Sequence, residues 1–120
     1  MTHPRAWMLV AGWVGVILVI TSWPNPPQPS SAPPGLDKVI HFSLYGVLGA
    51  LAARAMASGS ARRSLVAAGA IAAFAALDEW HQRWIPGRGA DRSDWFADVA
   101  GAATGLALVG RRGRTAIVST

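Results

Sequence analysis

From Ala6 to Trp23 no side chain carries a charge. A helix rises 1.5 Å per residue, and roughly 20 apolar residues cross a hydrocarbon core, so a run of this length and content belongs in lipid. Three further apolar blocks follow, at about 38–56, 64–84 and 94–109. The pattern predicts an all-α fold, a four-helix transmembrane bundle with spans at about 6–23, 38–56, 64–84 and 94–109 in one domain over residues 1–120. Trp7 and Trp23 stand at the two ends of the first block, where aromatic belts form. A cleaved signal peptide is the rival for this block. Its apolar region is typically about 7–15 residues and ends at a small-x-small cleavage site, and no clear one comes soon after Ile20, so the block is read as a retained helix.

Composition agrees with lipid. Hydrophobic residues make up 52% of the chain and charged residues 14%, against roughly 25% charged in an average soluble domain. Cysteine is absent, which excludes disulfides, thiolate metal sites and cysteine nucleophiles. The net charge is +5, and its distribution follows the apolar blocks. Seven bases (Arg5, Arg54, Arg62, Arg63, Arg111, Arg112, Arg114) lie in segments without acids, whereas all six acids lie near Lys38, Arg83, Arg88 and Arg92. The positive-inside rule therefore places both termini and the Arg54–Arg63 turn in the cytoplasm. The loop 24–35, which holds six of the eight prolines and is expected to be extended, then faces outward with the loop 86–93. The basic patches lack aromatic interleaving on their own side, so nucleic acid is not an expected partner.

Local signals mark the helix ends. Asp37 is expected to cap the second helix, Pro86 and Gly87 to stop the third, and Ser93 or Asp91 to cap the fourth. Arg111, Arg112 and Arg114 are expected to begin a short tail beyond it.

The acids cluster at the outward ends of the blocks. Asp37, His41, Tyr45 and Gly49 are spaced by four and share one helix face. Asp78 and Gln82 share another, with Glu79 about 100° away. On the last helix Asp94, Asp98, Gly101 or Ala102, and Gly105 line up, and Gly101-Ala-Ala-Thr-Gly105 is a small-xxx-small pattern that lets helices approach closely. Ionisable groups within spans face a bundle interior or a wet cavity and mark a functional site by default. Asp78 and Gln82 are expected to face that pocket, with Glu79 turned toward a neighbouring helix. His41 suits proton transfer because imidazole titrates near neutrality. Arg88 suits an anion as a bidentate fork, while Arg83, His81 and Arg92 are expected to face headgroups. The plainer alternative is that the polar residues hydrogen-bond the helices together. A metal held by His41, Asp78 and Glu79 is chemically possible, but there is no phosphate-cradling glycine loop, nucleophile elbow or His-Glu-x-x-His spacing, so neither a metal nor a cofactor is expected. No inverted repeat points to transport.

The motifs Asp37-Lys38-x-x-His41-Phe42-x-x-Tyr45-x-x-Leu48-Gly49, Asp78-Glu79-x-x-Gln82-x-x-Ile85-Pro86-x-Arg88 and Asp91-x-x-Asp94, with the glycine-rich final helix, resemble the VanZ-like family. The match runs from Asp37 to Gly105 with the motifs in the family's order. The resemblance implies a small multi-span protein of the bacterial cytoplasmic membrane, from a family named for a member linked to teicoplanin resistance. It implies no settled reaction. One departure is Asp98, where the family often has asparagine, and a carboxylate there invites pairing with Arg88 or His41. The expected partner is a membrane lipid or lipid-linked cell-wall component, with homo-oligomerisation left open. Candidate catalytic residues are His41, Asp37, Glu79 and Asp78, with Asp37 or Glu79 orienting His41. Candidate substrate-binding residues are Lys38, Tyr45, Gln82, Arg88, Asp91, Asp94 and Asp98. An enzyme and a binding or purely structural protein both fit these residues.

Overall fold

A computed structural model of the chain describes residues 3–24, 33–56, 60–88 and 90–118. Among these residues the fold is all-helical and without strands: α1 (Pro4–Thr21), α2 (Leu36–Met56), α3 (Ala61–Gln82) and α4 (Arg92–Val118). Most of the proline-rich loop, at 25–32, and the Ser58–Gly59 part of the basic turn lie outside the described residues.

The helix ends follow from local chemistry. Proline in the first turn of α1 sits where its missing N–H costs nothing. α2 begins at Leu36, after Gly35 has turned the chain with φ +85°. Asp37 therefore stands inside the first turn rather than at the cap, and its carboxylate meets Lys38 at 2.9 Å. α3 starts in the basic turn, earlier than the apolar block suggests, because the Ser60 hydroxyl accepts the Arg63 N–H at 3.1 Å and caps it. Beyond Gln82 the chain turns through Pro86 and Gly87, whose φ is +79°. Asp91 caps α4, its Oδ1 accepting the Ser93 N–H at 2.9 Å and the Ser93 hydroxyl at 2.6 Å. α4 then continues through Arg111, Arg112 and Arg114 to Val118, where a tail was expected. No proline follows Val109, so nothing in the sequence forces a stop.

α1 and α2 are, among the described residues, the helices long and apolar enough to cross a membrane. Packing is tightest between α2 and α4. A Cβ at Gly101 would run into the carbonyl oxygen of Phe42, and one at Gly105 into the Gly46 carbonyl and the Ala50 nitrogen. The two backbones thus touch, as the small-xxx-small pattern allows. Trp13 Nε1 donates to the Leu44 carbonyl at 2.8 Å, tying α1 to α2, and Trp95 Nε1 to the Ala72 carbonyl at 3.0 Å, tying α4 to α3.

Burial is inverted relative to a soluble bundle. The apolar core, around Ile17, Tyr45, Leu48, Ala75 and Leu106, is small. Large apolar side chains such as Met8 (73% exposed), Leu65 (74%), Leu77 (65%) and Phe96 (64%) point outward. Thr21, His41, Asp78, Glu79, Gln82, Asp94 and Asp98 are buried instead. They gather where α1 and α3 end and α2 and α4 begin.

Candidate functional site

Two polar groups fill that end of the bundle. The inner one is built on Asp78, which is 3% exposed. Its Oδ1 lies 2.9 Å from the Thr21 hydroxyl on α1, and its Oδ2 accepts from the Tyr45 hydroxyl on α2 at 3.3 Å. Thr21 Oγ1 also lies 2.9 Å from the Ile17 carbonyl, so its single proton serves one acceptor at a time. One carboxyl group thereby joins three helices.

The outer group is built on His41. Its Nδ1 lies 2.7 Å from Oδ1 of Asp98, and its Nε2 3.7 Å from Oδ2 of Asp94. Asp98 is fully buried, and its Oδ2 has no hydrogen-bond partner among the described residues. Lys38 sits among three carboxylates, at 2.9 Å from Asp37, 3.0 Å from Asp91 and in contact with Asp94. Glu79 fastens α3 to the start of α4: its Oε2 accepts the Asp91 N–H at 3.1 Å, and Gln82 Nε2 approaches its Oε1 at 3.5 Å. Potential ligand atoms of His41, Glu79 and Asp98 all lie within 4.8 Å of one another.

Electrostatics explains the arrangement. A buried carboxylate is costly unless charges or donors answer it. Asp78, Glu79, Asp94 and Asp98 are all buried: Asp94 meets Lys38, Asp98 meets His41, Asp78 has the Thr21 and Tyr45 hydroxyls, and Glu79 has the Asp91 N–H. At the solvent edge, the two Ser93 hydrogen bonds and then Lys38 hold the Asp91 carboxyl down at about 2.

Beside the outer group a cavity of about 390 Å³ opens between α3 and α4. Trp80, Trp95 and Phe96 form apolar walls, Arg83 and Arg92 supply positive charge, and the buried Glu79 and the more exposed Asp91 contribute carboxyls. Such a site can take a group that is anionic at one end and greasy at the other.

The VanZ/LLP1 family model matches residues 5–112, nearly the whole chain. The chain belongs to the VanZ/LLP1 family. No curated protein and no solved structure matches it.

In this VanZ/LLP1 protein the motif residues of three helices meet at one end of the bundle, though several roles differ from expectation. Asp37 contacts Lys38, while Asp98 and Asp94, both on α4, are the carboxylates at the His41 ring. Asp37 is one helical turn from His41, and its half-exposed carboxylate turns to Lys38 instead. Both adjacent acids are buried, on different sides of α3. Glu79 lines the cavity, whereas Asp78 faces Tyr45 and Thr21 in the interior, with Gln82 buried beside Glu79. Arg88 stands apart from the cluster: its Nε donates to the Trp23 carbonyl at 2.9 Å and its Nη2 to the Ile20 carbonyl at 2.8 Å. It holds the C-terminal end of α1, where unpaired carbonyls attract cations. Thr21 is a member of the site that the motifs do not contain. Its signal is a hydroxyl placed one turn after Ile17 at the end of an otherwise apolar span.

Proposed function

We propose that the protein spans the bacterial cytoplasmic membrane four times with both termini inside, and that its α3–α4 cavity holds the anionic headgroup of an envelope lipid or lipid-linked cell-wall component. The observation that carries this reading is the pairing of Arg83 and Arg92 with Trp80, Trp95 and Phe96 around one cavity. Arginine is weakly hydrated and grips phosphate with a planar fork, and the aromatic walls suit the first carbons of a lipid. Four spans are supported by the apolar side chains that α3 and α4 also turn outward, such as Leu65, Leu77, Phe96 and Leu108. Orientation is supported by the segregation of acid-free basic segments from the acid-bearing ends.

The test uses the full chain in neutral detergent, titrated with phosphatidylglycerol, a polyprenyl phosphate and zwitterionic phosphatidylcholine, with tryptophan fluorescence as readout. Anionic lipids should bind in preference to phosphatidylcholine, and Arg83→Gln/Arg92→Gln should weaken them about 10-fold or more, two charge-assisted contacts being removed. Equal binding of all three lipids, or an unaffected double variant, counts against the reading. In cells, loss of the same two arginines should alter teicoplanin susceptibility if the bound lipid is a cell-wall intermediate.

A second reading is that the bound lipid also reacts, with His41 as acid or base. The Asp98 contact at Nδ1 favours it, because a carboxylate there fixes the ring as catalytic histidines need. Product formed from a bound polyprenyl phosphate or its diphosphate, and abolished by His41→Gln, would identify an enzyme. Binding without product leaves a recognition protein.

A further inference from the structure

Among the described residues, Asp98 is a buried carboxyl answered at one of its two oxygens. It is fully buried, its Oδ1 lies against the His41 ring, and its Oδ2 meets no donor among the described residues. Buried oxygens of this kind are rare and call for a water, a proton or an ion. The surroundings favour a cation. Asp78, Glu79 and Asp94 are also buried, and Lys38 is already in contact with three carboxylates.

We propose that His41, Glu79 and Asp98 form a site for one divalent transition-metal ion of the zinc class. The three residues come from α2, α3 and α4, so the ion would be held by the tertiary fold. All three side chains are buried, and each offers one ligand atom within 4.8 Å of the others. Zinc holds nitrogen and oxygen ligands at about 2.0–2.2 Å, which places ligand atoms roughly 3–4 Å apart, so small rotations of these side chains close the set. An imidazole with two carboxylates and no thiolate suits zinc, manganese or ferrous ions better than calcium or magnesium. With the ion on Nδ1, Asp98 exchanges its contact with the ring for a bond to the metal, and the carboxyl whose Oδ2 is left without a partner is answered by a cation. Glu79 already has the outer support that metal-binding carboxylates carry, from the Asp91 N–H and Gln82. Three protein ligands leave a coordination position open, and Glu79 is shared with the cavity wall. The site does not depend on lipid binding. A metal coordinated by His41 does exclude free acid–base use of that side chain.

The experiment is a metal titration of the full chain in neutral detergent, without lipid, after stripping with a chelator. Zn²⁺ is followed by calorimetry and Co²⁺ by visible absorption. One ion per chain is expected, with Co²⁺ bands that Zn²⁺ abolishes and a large excess of Mg²⁺ does not. Asp98→Asn and Glu79→Gln should each lower affinity about 10-fold or more, while His81→Gln, at an exposed ring outside the three ligands, leaves it unchanged. Far-UV circular dichroism checks that the variants remain helical. If a variant does unfold, the wild-type Co²⁺ spectrum and stoichiometry decide. Absence of wild-type binding overturns the site. So does binding that survives both substitutions, which would place the ion on His3 or His81 instead.

Discussion

The contact between α2 and α4 makes a demand that a single methyl group can test. Alanine normally improves a helix over glycine by about 0.5–1 kcal/mol. At Gly105 the added Cβ would overlap the Gly46 carbonyl and the Ala50 nitrogen, which are main-chain atoms of α2 and cannot rotate away. The helices must separate instead, losing contact along the whole seam. Overpacking of a core typically costs about 1–3 kcal/mol, and a clash of backbone with backbone belongs at the upper end. Offset by the helix gain, Gly105→Ala should lose about 2 kcal/mol, on the order of 10 °C in melting temperature for a domain of this size. Two controls carry the same chemistry. A Cβ at Gly46 would lie 3.5 Å from the Gly101 carbonyl, an ordinary contact, so Gly46→Ala should be nearly neutral. At Gly69, on α3, nothing lies within 4 Å, so Gly69→Ala should hold or raise stability. Thermal unfolding in detergent, followed by circular dichroism at 222 nm, reads all three (the wavelength being about that of the helix band, whose loss tracks unfolding). A Gly105→Ala protein that melts at or above the wild type would refute the close approach of the two backbones. A Gly69→Ala protein that falls equally far would show that lost flexibility, rather than crowding, is responsible.

Three further outcomes are expected. Thr21→Val keeps the shape of the side chain but removes the hydroxyl beside Asp78, and should destabilise by about 1–3 kcal/mol in the same melts; an unchanged melting point would mean that Tyr45 alone satisfies the acid. Arg88→Lys should not restore what Arg88→Ala loses, about 1–2 kcal/mol, because an ammonium lacks the fork that reaches the Ile20 and Trp23 carbonyls together; full rescue by lysine would reduce the contact to simple charge. The folded state favours the charged form of Asp91, whose carboxyl is held at about 2 from an ordinary 3.8. Its contribution is therefore complete above the ordinary value and is lost as pH falls through about 2. Wild-type melting temperature should drop more steeply than that of Asp91→Asn across this window, and parallel curves would show that Asp91 does not set the acid response.

Several features were legible in the chain without coordinates. Long uncharged runs admit little except helices, because lipid leaves no other partner for backbone N–H and carbonyl groups. The four helices accordingly lie near the four apolar blocks, and the Gly101-to-Gly105 spacing marks the face that meets α2. Helical periodicity also placed the polar stripes at one end, and the motifs pointed to the VanZ/LLP1 family. What periodicity supplies is an angle around one axis. It says nothing about which neighbour stands at that angle. His41 and its partner Asp98 are 57 residues apart, and Arg88 lies 68 residues from the Ile20 carbonyl it holds. The adjacent acids at 78 and 79 differ by about 100° on the helix, so the packing of α1, α2 and α4 alone decides which enters the interior and which reaches the cavity. Acids at the ends of apolar runs come to one end of the bundle however the helices pack. Which of them answer one another depends on the packing, because a buried charge takes its partner from whichever helix lies against it.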